Sequence, residues 1–113
     1  MDRFAALGDP TRRKIVEKLA LQGQLSATQI AQQFEMTPQA ISQHLKILRG
    51  AQVVQMEKRA QQRLYRINSE SLQEIESWAR QTAQRWTERF DAIATLLDEQ
   101  AAHDQNPNNE HKP

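Results

Sequence analysis

The chain has 113 residues, of which 38% are hydrophobic and 26% charged, a balance typical of one small globular domain rather than of a disordered chain. It contains no cysteine, which excludes disulfides, thiolate metal sites and cysteine nucleophiles. It also has no apolar run long enough to span a bilayer and no signal-peptide pattern, so we expect a cytoplasmic protein without a membrane partner.

The net charge is only +1, but the charges are unevenly distributed along the chain. Residues 37–67 contain six basic side chains and one acidic one, a net charge of +5. Residues 68–113 contain four basic and nine acidic side chains, a net charge of −5. A basic segment inside a nearly neutral chain indicates a surface that binds a polyanion.

The N-terminal part of the chain predicts two helices. Residues 1–7 form a short helix with Phe4 and Leu7 on one face, too short to be stable without packing on something else. Asp9 is followed by proline, a pair typical of an N-cap and a first helical position, because the N–H that proline lacks would be unpaired there. We therefore expect a second helix over 10–22.

Two further helices and a tight turn follow. Ser26 and Gln29 have the spacing of a capping box, which opens a short helix. Thr37, again followed by proline, caps the next helix over 38–49. The apolar positions of that helix recur at helical spacing, so one face belongs to the core and the opposite face is exposed. The core-facing residues are Ile41, Leu45 and Leu48.

The period then changes to that of β-structure. Residues 54–58 and 64–67 are two β-prone segments separated by the glycine-free stretch Arg59–Gln62, and we interpret them as a two-stranded hairpin. A long helix from about Asn68 to Gln100 follows. Its apolar residues recur at alternating three- and four-residue steps, a seam that a domain of this size cannot easily bury, so a partner chain is expected to cover it. Residues 101–113 are polar and broken by Asn and Pro, and we predict a disordered tail.

The exposed face of the helix over 38–49 carries hydrogen-bonding side chains instead of a mixture of Glu and Lys. Gln39, Ser42, Gln43 and Lys46 can donate to or accept from base edges or phosphates, with His44 at the edge of this face. A helix-turn-helix followed by a basic hairpin, or wing, is an arrangement that binds DNA. The predicted DNA-binding residues are Thr37, Gln39, Ser42, Gln43, His44, Lys46, Lys58, Arg59 and Arg63.

The segments "FAALGDPTRRKIVEKLA" and "LSATQIAQQFEMTPQAISQHLKILRGAQVV", followed by a wing ending in "RLYRI", resemble the ArsR-type (ArsR/SmtB) family of small dimeric winged-helix repressors. The resemblance implies a mainly α fold with a small β-hairpin, in the order α-α-α-α-β-β-α. It also implies that the first and last helices form the dimer interface. The residues expected at this interface are Phe4, Leu7, Leu72, Ile75, Ala79, Trp86, Phe90, Ile93 and Leu97.

The sequence departs from the family pattern at two turns. The family usually has glycine where this chain has Gln52, so the turn must either tolerate a side chain or shift to Gly50. The tip of the wing has Gln61 and Gln62 where a glycine is common. Both departures concern the shape of the wing and leave the fold unchanged.

The function predicted is a homodimeric repressor over residues 1–100 that binds double-stranded DNA at an inverted repeat, with no cofactor, no enzymatic activity and an unknown inducer. One alternative is a winged-helix module that binds a protein and has no affinity for DNA. Another is a metal-responsive repressor with a non-thiolate site, since many relatives sense metals. The family places carboxylate and histidine ligands on the last helix, and this helix has no histidine between Ser69 and Gln100, so we expect no metal site.

Overall fold

The computed structural model of the chain describes residues 1–104, which contain five helices and three strands. The chain divides into two compact units, residues 1–75 and the residues from 76 onward. The elements, in chain order, are α1 (Arg3–Ala6), α2 (Pro10–Gln22), β1 (Gln24–Ser26), α3 (Ala27–Gln32), α4 (Pro38–Gly50), β2 (Val54–Arg59), β3 (Gln62–Ile67) and α5 (Ser69–Asp104).

The three helix caps predicted from the sequence are confirmed, whereas α1 is shorter than the predicted helix over 1–7. Each cap side chain accepts a hydrogen bond from a backbone N–H three residues further on, which satisfies a donor that the helix leaves unpaired. Ser26 and Gln29 form the complete capping box, because the Gln29 side chain in turn accepts from the Ser26 backbone N–H. The cap bonds are Asp9 to Arg12 (3.0 Å), Ser26 to Gln29 (3.1 Å) and Thr37 to Ala40 (3.1 Å).

One hydrophobic core lies in the first unit, between the helices and the sheet. The apolar positions predicted for α4 are buried, and so are core residues of α2 and α3, which fixes the rotation of these helices about their axes. The sheet contributes Leu25, Val54 and Tyr65 to the same cluster. The helical members are Ile15, Val16, Leu19, Ile30, Ile41, Leu45 and Leu48.

The predicted hairpin is confirmed as β2 and β3, but the sheet has a third strand, β1, that the sequence analysis did not predict. β1 pairs antiparallel with β3, and β3 pairs antiparallel with β2, giving the order β1-β3-β2. The element order is therefore α-α-β-α-α-β-β-α. β1 has three residues, too few for an alternating pattern to be visible, and its partner strand lies about 40 residues further along the chain.

The turn after α4 tolerates a side chain at Gln52, the position where glycine was expected. Gln52 has a φ of 62°, in the left-handed region, whereas Gly50 is the last residue of α4. Two side chains donate to the Gln52 carbonyl oxygen, Ser71 Oγ at 2.5 Å and Asn68 Nδ2 at 2.9 Å. Asn68 therefore fastens this turn to the start of α5.

α5 extends beyond its predicted end. It continues to Asp104, so the predicted tail boundary after residue 100 was four residues too early, and residues 101–104 are helical. The rest of the predicted tail, residues 105–113, lies outside the described residues. Within residues 1–104 no helix is both long and apolar enough to cross a membrane.

Candidate nucleic-acid interface

The side of α4 opposite the core presents one continuous row of polar side chains. Gln39, Ser42, Gln43 and Lys46 are all exposed, while Ile41, Leu45 and Leu48 on the other side of the helix are at most 1% exposed. The row follows helical spacing, so its members lie on one face. The buried residues hold α4 in a single rotational setting, and the row therefore has a fixed direction.

These four side chains remain available for a ligand. Within residues 1–104 none of them takes part in a hydrogen bond or ion pair. Arg49, one turn beyond Lys46, is also exposed and extends the row with a second cation. Arg49 was absent from the predicted site. A basic residue in the last turn of a helix is common, because it interacts favourably with the helix dipole, and so does not by itself indicate DNA binding.

Thr37 and His44, the other predicted residues of this helix, differ from the row. The Thr37 hydroxyl oxygen accepts from the Ala40 backbone N–H, so it serves first as the cap of α4. The side chain of His44 is only 19% exposed and turns toward the start of α2, where its Nδ1 lies 3.8 Å from Asp9 Oδ2. The approach of Asp9 could not be predicted from the sequence, since it depends on how the start of α2 packs beside α4.

The tip of the wing carries two exposed cations on one face. Lys58 of β2 and Arg63 of β3 are register partners, so their side chains lie on the same face of the hairpin. A two-residue turn, Ala60 and Gln61, joins the strands, and the left-handed conformation falls on Ala60, with a φ of 55°, instead of on Gln61 or Gln62, where glycine was expected. Both cations are exposed and project from the part of the hairpin furthest from the core.

Arg59, the third predicted wing residue, is held by an acid on the other face. Its Nη2 donates to Glu57 Oε2 at 2.8 Å, and Arg66 donates to the other oxygen of the same carboxylate at 3.3 Å. The hydrogen bond from Arg59 is the main reason that the pKa of Glu57 lies below its usual 4.5. Arg59 is therefore partly neutralised within the chain, unlike Lys58 and Arg63.

The residues predicted for the dimer interface fall into two groups. In the first unit, Leu7 and Leu72 are partly buried against the core, so packing within one chain already accounts for much of their apolar surface. Phe4 is 46% exposed and Ile75 half-buried. In the second unit the predicted residues are all exposed, and the four large ones are between 52% and 68% exposed. They are Trp86, Phe90, Ile93 and Leu97, together with the smaller Ala79.

Metal ligands do not converge in the part of the chain that the structure describes. Among residues 1–104 no group of three or more His, Asp or Glu side chains is arranged to hold a metal ion. No histidine lies between Ser69 and Gln100. α5 nevertheless contains one histidine, because it continues to Asp104 and so includes His103, which was predicted to lie in the tail.

The two helices α3 and α4, with a basic hairpin after them, define the winged helix-turn-helix class of DNA-binding protein. The family model described as "Bacterial regulatory protein, arsR family" matches residues 9–55. The transcriptional repressor SdpR of Bacillus subtilis is 39% identical over 75 residues, which is 66% of this chain and 82% of SdpR. The HTH-type transcriptional regulator Rv2034 of Mycobacterium tuberculosis is 33% identical over 84% of this chain and 85% of its own length.

Solved structures agree with these relatives. An ArsR-like transcriptional regulator from Rhodococcus sp. RHA1 superposes with a TM-score of 0.72 at 29% identity, over 82% of this chain and 87% of that one. The homodimeric winged helix-turn-helix DNA-binding domain of Mb0332 from Mycobacterium bovis has a TM-score of 0.58 at 25% identity, over 71% of this chain and 73% of that one. The chain belongs to the ArsR family of bacterial regulatory proteins, and it is a winged helix-turn-helix transcriptional regulator.

Proposed function

We propose that this chain is a homodimeric repressor that binds an inverted-repeat operator through α4 and the wing. The observation that carries the proposal is the exposed polar row of α4, fixed in direction by the buried face behind it. Glutamine and serine side chains both donate and accept hydrogen bonds, as base edges in the major groove require. A helix face that served only solubility would carry a mixture of Glu and Lys. This face carries glutamine and serine side chains without hydrogen-bond partners within residues 1–104, and no acidic residue.

The two parts of the interface have different tasks in this proposal. Gln39, Ser42 and Gln43 read base edges, while Lys46 binds a phosphate or a guanine. Lys58 and Arg63 bind phosphates beside the groove, a contact that positions the protein and carries no sequence information. Thr37 contributes through its hydroxyl hydrogen, which remains free to donate because the cap bond uses only its oxygen. Arg59 contributes less, since Glu57 already holds its guanidinium.

Dimerisation is proposed on the exposed apolar residues of α5, together with Phe4 of α1. Large apolar side chains that repeat along one helix are costly to leave in water, and a second copy of the chain covers them most simply. Two related copies of α4 then meet successive major grooves about 34 Å apart, which is why an inverted repeat is expected. The homodimeric domain from Mycobacterium bovis supports this arrangement by likeness.

Selection of bound sequences from a random DNA pool tests the proposal. We expect enrichment of an inverted repeat, bound by two protomers, with an affinity that falls steeply as salt rises because phosphate contacts release counterions. Gln43→Ala should lose part of the preference, and the matched control Gln73→Ala, at an exposed helical glutamine away from α4, should keep it. Absence of enrichment, or binding that does not respond to salt, would favour a protein partner instead.

The proposal assigns the chain no catalytic step and no cofactor. The chain would repress transcription by occupying a promoter that RNA polymerase must also occupy. We place the protein in the cytoplasm because its proposed ligand is chromosomal DNA. The tightness of the operator complex should therefore decide the degree of repression. A reporter gene under the selected operator measures this directly. Its expression should fall when the wild-type chain is produced and should be restored when the Gln43→Ala variant is produced instead.

A further inference from the structure

His44 has one buried ring nitrogen without a hydrogen-bond partner. Its Nδ1 is the one buried side-chain nitrogen or oxygen atom among residues 1–104 that has no such partner. Asp9 Oδ2 lies 3.8 Å from this nitrogen, which is an ion-pair distance but too long for a hydrogen bond. A buried polar atom without a hydrogen-bond partner destabilises the fold, so an unpaired nitrogen at this position indicates a role other than stability.

One carboxylate and one guanidinium lie at this corner of the molecule. Asp9 is the only carboxylate with an oxygen within 4.0 Å of a His44 ring nitrogen among the described residues. The other charged group at this corner, Arg12, donates its Nε–H to the Ala6 carbonyl oxygen at 2.6 Å and its backbone N–H to Asp9. The N-cap bond from Arg12 is the main cause that lowers the pKa of Asp9, so its carboxylate is ionised at neutral pH.

The His44–Asp9 pair lies beside residues that we propose to bind DNA. His44 lies beside Gln43 and two residues before Lys46 on α4, and its Nε2 is not buried. Asp9 is itself partly exposed at the same place, where its negative charge would repel a DNA phosphate. A proton on His44 cancels that repulsion and adds a donor toward the DNA.

We propose that Asp9 is a positioning residue that holds His44 as an imidazolium in the operator complex. Nδ1–H then donates to the Asp9 carboxylate, after a shift of about 1 Å that brings the pair to hydrogen-bond distance. Nε2–H donates to a DNA phosphate. The proton comes from solvent, so operator binding takes up a proton at each protomer where His44 was neutral. The inference rests on the proposed function, since it needs an operator.

The sign of the pH dependence follows from this proton uptake. Histidine gains its proton as the pH falls through the range from about 8 to about 5. Because the bound state holds more protons than the free protein, operator affinity should rise as the pH falls. An Asn at position 9 would still cap α2, because asparagine caps helices as well as aspartate does, but it would not stabilise the imidazolium.

The test measures the dissociation constant for the selected operator by fluorescence anisotropy at about pH 8 and about pH 6, at constant salt. We expect the wild-type protein to bind about tenfold more tightly at the lower pH, an effect that falls below about twofold in Asp9→Asn and His44→Gln. The matched control His103→Gln, His111→Gln, which removes the other two histidines of the sequence, should keep the full dependence. Thermal unfolding followed by circular dichroism checks that each variant is folded.

A second measurement needs no variant. Nitrogen-15 NMR of the wild-type complex should show both ring nitrogens of His44 protonated with operator bound, and one of them unprotonated in the free protein at about pH 8. An equal pH response in Asp9→Asn and wild type, or a neutral His44 in the complex, would overturn this inference while operator binding stood. Failure to bind any selected operator at either pH would overturn the proposed function, and this inference with it.

Discussion

Lys58 and Arg63 lie directly opposite each other in the register of the wing, two positive side chains on one face of a hairpin. Like charges at opposed positions destabilise a strand pair. The rest of the same face continues inward through Met56 and Tyr65 to the core, so the two cations occupy the only part of it that is free to meet a ligand. A phosphate between them would turn the repulsion into attraction.

The first prediction follows from this pair. Arg63→Ala should weaken binding to operator and to random DNA by the same factor, and reduce the slope of log affinity against log salt by about 1, because one phosphate contact is lost. The folded protein should be as stable as wild type or slightly more so. Arg80→Ala, at an exposed arginine of α5, is the control and should leave the salt slope unchanged. A loss confined to the operator would contradict a phosphate role.

Gln43 should behave in the opposite way. Its replacement by alanine should cost about 1 to 3 kcal/mol on the operator and relax the preference at one position of each half-site, because a bidentate contact to a base edge is lost. Affinity for random DNA should stay within error. Competition between operator variants, each changed at one base pair, measures the effect. Equal losses on operator and random DNA would show that Gln43 binds the backbone.

Much of this site can be read from the sequence, because its determinants are local. The caps at Asp9, Ser26 and Thr37 set the starts of α2, α3 and α4. The period of the apolar residues sets the rotation of α4, and therefore the exposed row. The features that were missed depend on distant partners. β1 needs β3 to be recognised as a strand, and His44 meets Asp9 only after α2 and α4 pack. The engagement of Arg59 by Glu57 depends on the face that the hairpin register assigns to each side chain.

Glu57 gives the wing a pH dependence of stability. Hydrogen bonds from Arg59 and Arg66 keep the pKa of this carboxylate below 4.5 in the folded protein, so its stabilising contribution is present above pH 4.5 and is lost as the pH falls through the lowered value. Urea unfolding of wild type and Glu57→Gln should therefore show a difference in unfolding free energy at neutral pH that shrinks in acid. A difference that stays constant with pH would mean that the two arginines do not stabilise the ionised form.

Gln52 adopts a backbone conformation that favours glycine. With a φ of 62° the side chain costs about 1 to 2 kcal/mol of strain, against which glycine loses about 0.5 to 1 kcal/mol of chain entropy on folding. Gln52→Gly should therefore stabilise the protein by about 0.5 to 1 kcal/mol, measured by urea unfolding. The bonds from Ser71 and Asn68 reach the backbone oxygen and survive the change. The control Gln55→Gly, at the second residue of β2, should destabilise the protein, and a loss of stability in both variants would show that the turn is not strained.

Trp86 is the decisive residue for the dimer. It is 68% exposed in the chain, in one row with Phe90, Ile93 and Leu97, so a partner's apolar surface has to cover it if the proposed interface is right. Trp86→Asp would bury a charge in that interface and should give monomers in sedimentation analysis, while unfolding of the first unit is unaffected. Operator affinity should fall toward that of a single half-site, because the second α4 is no longer held nearby.

Leu21→Asp, at an apolar residue of α2 that is 84% exposed, is the matched control and should stay dimeric. If the Trp86 variant remained a dimer with full operator affinity, the seam would have to lie elsewhere, and Phe4 and Ile75 of the first unit would be the next residues to change.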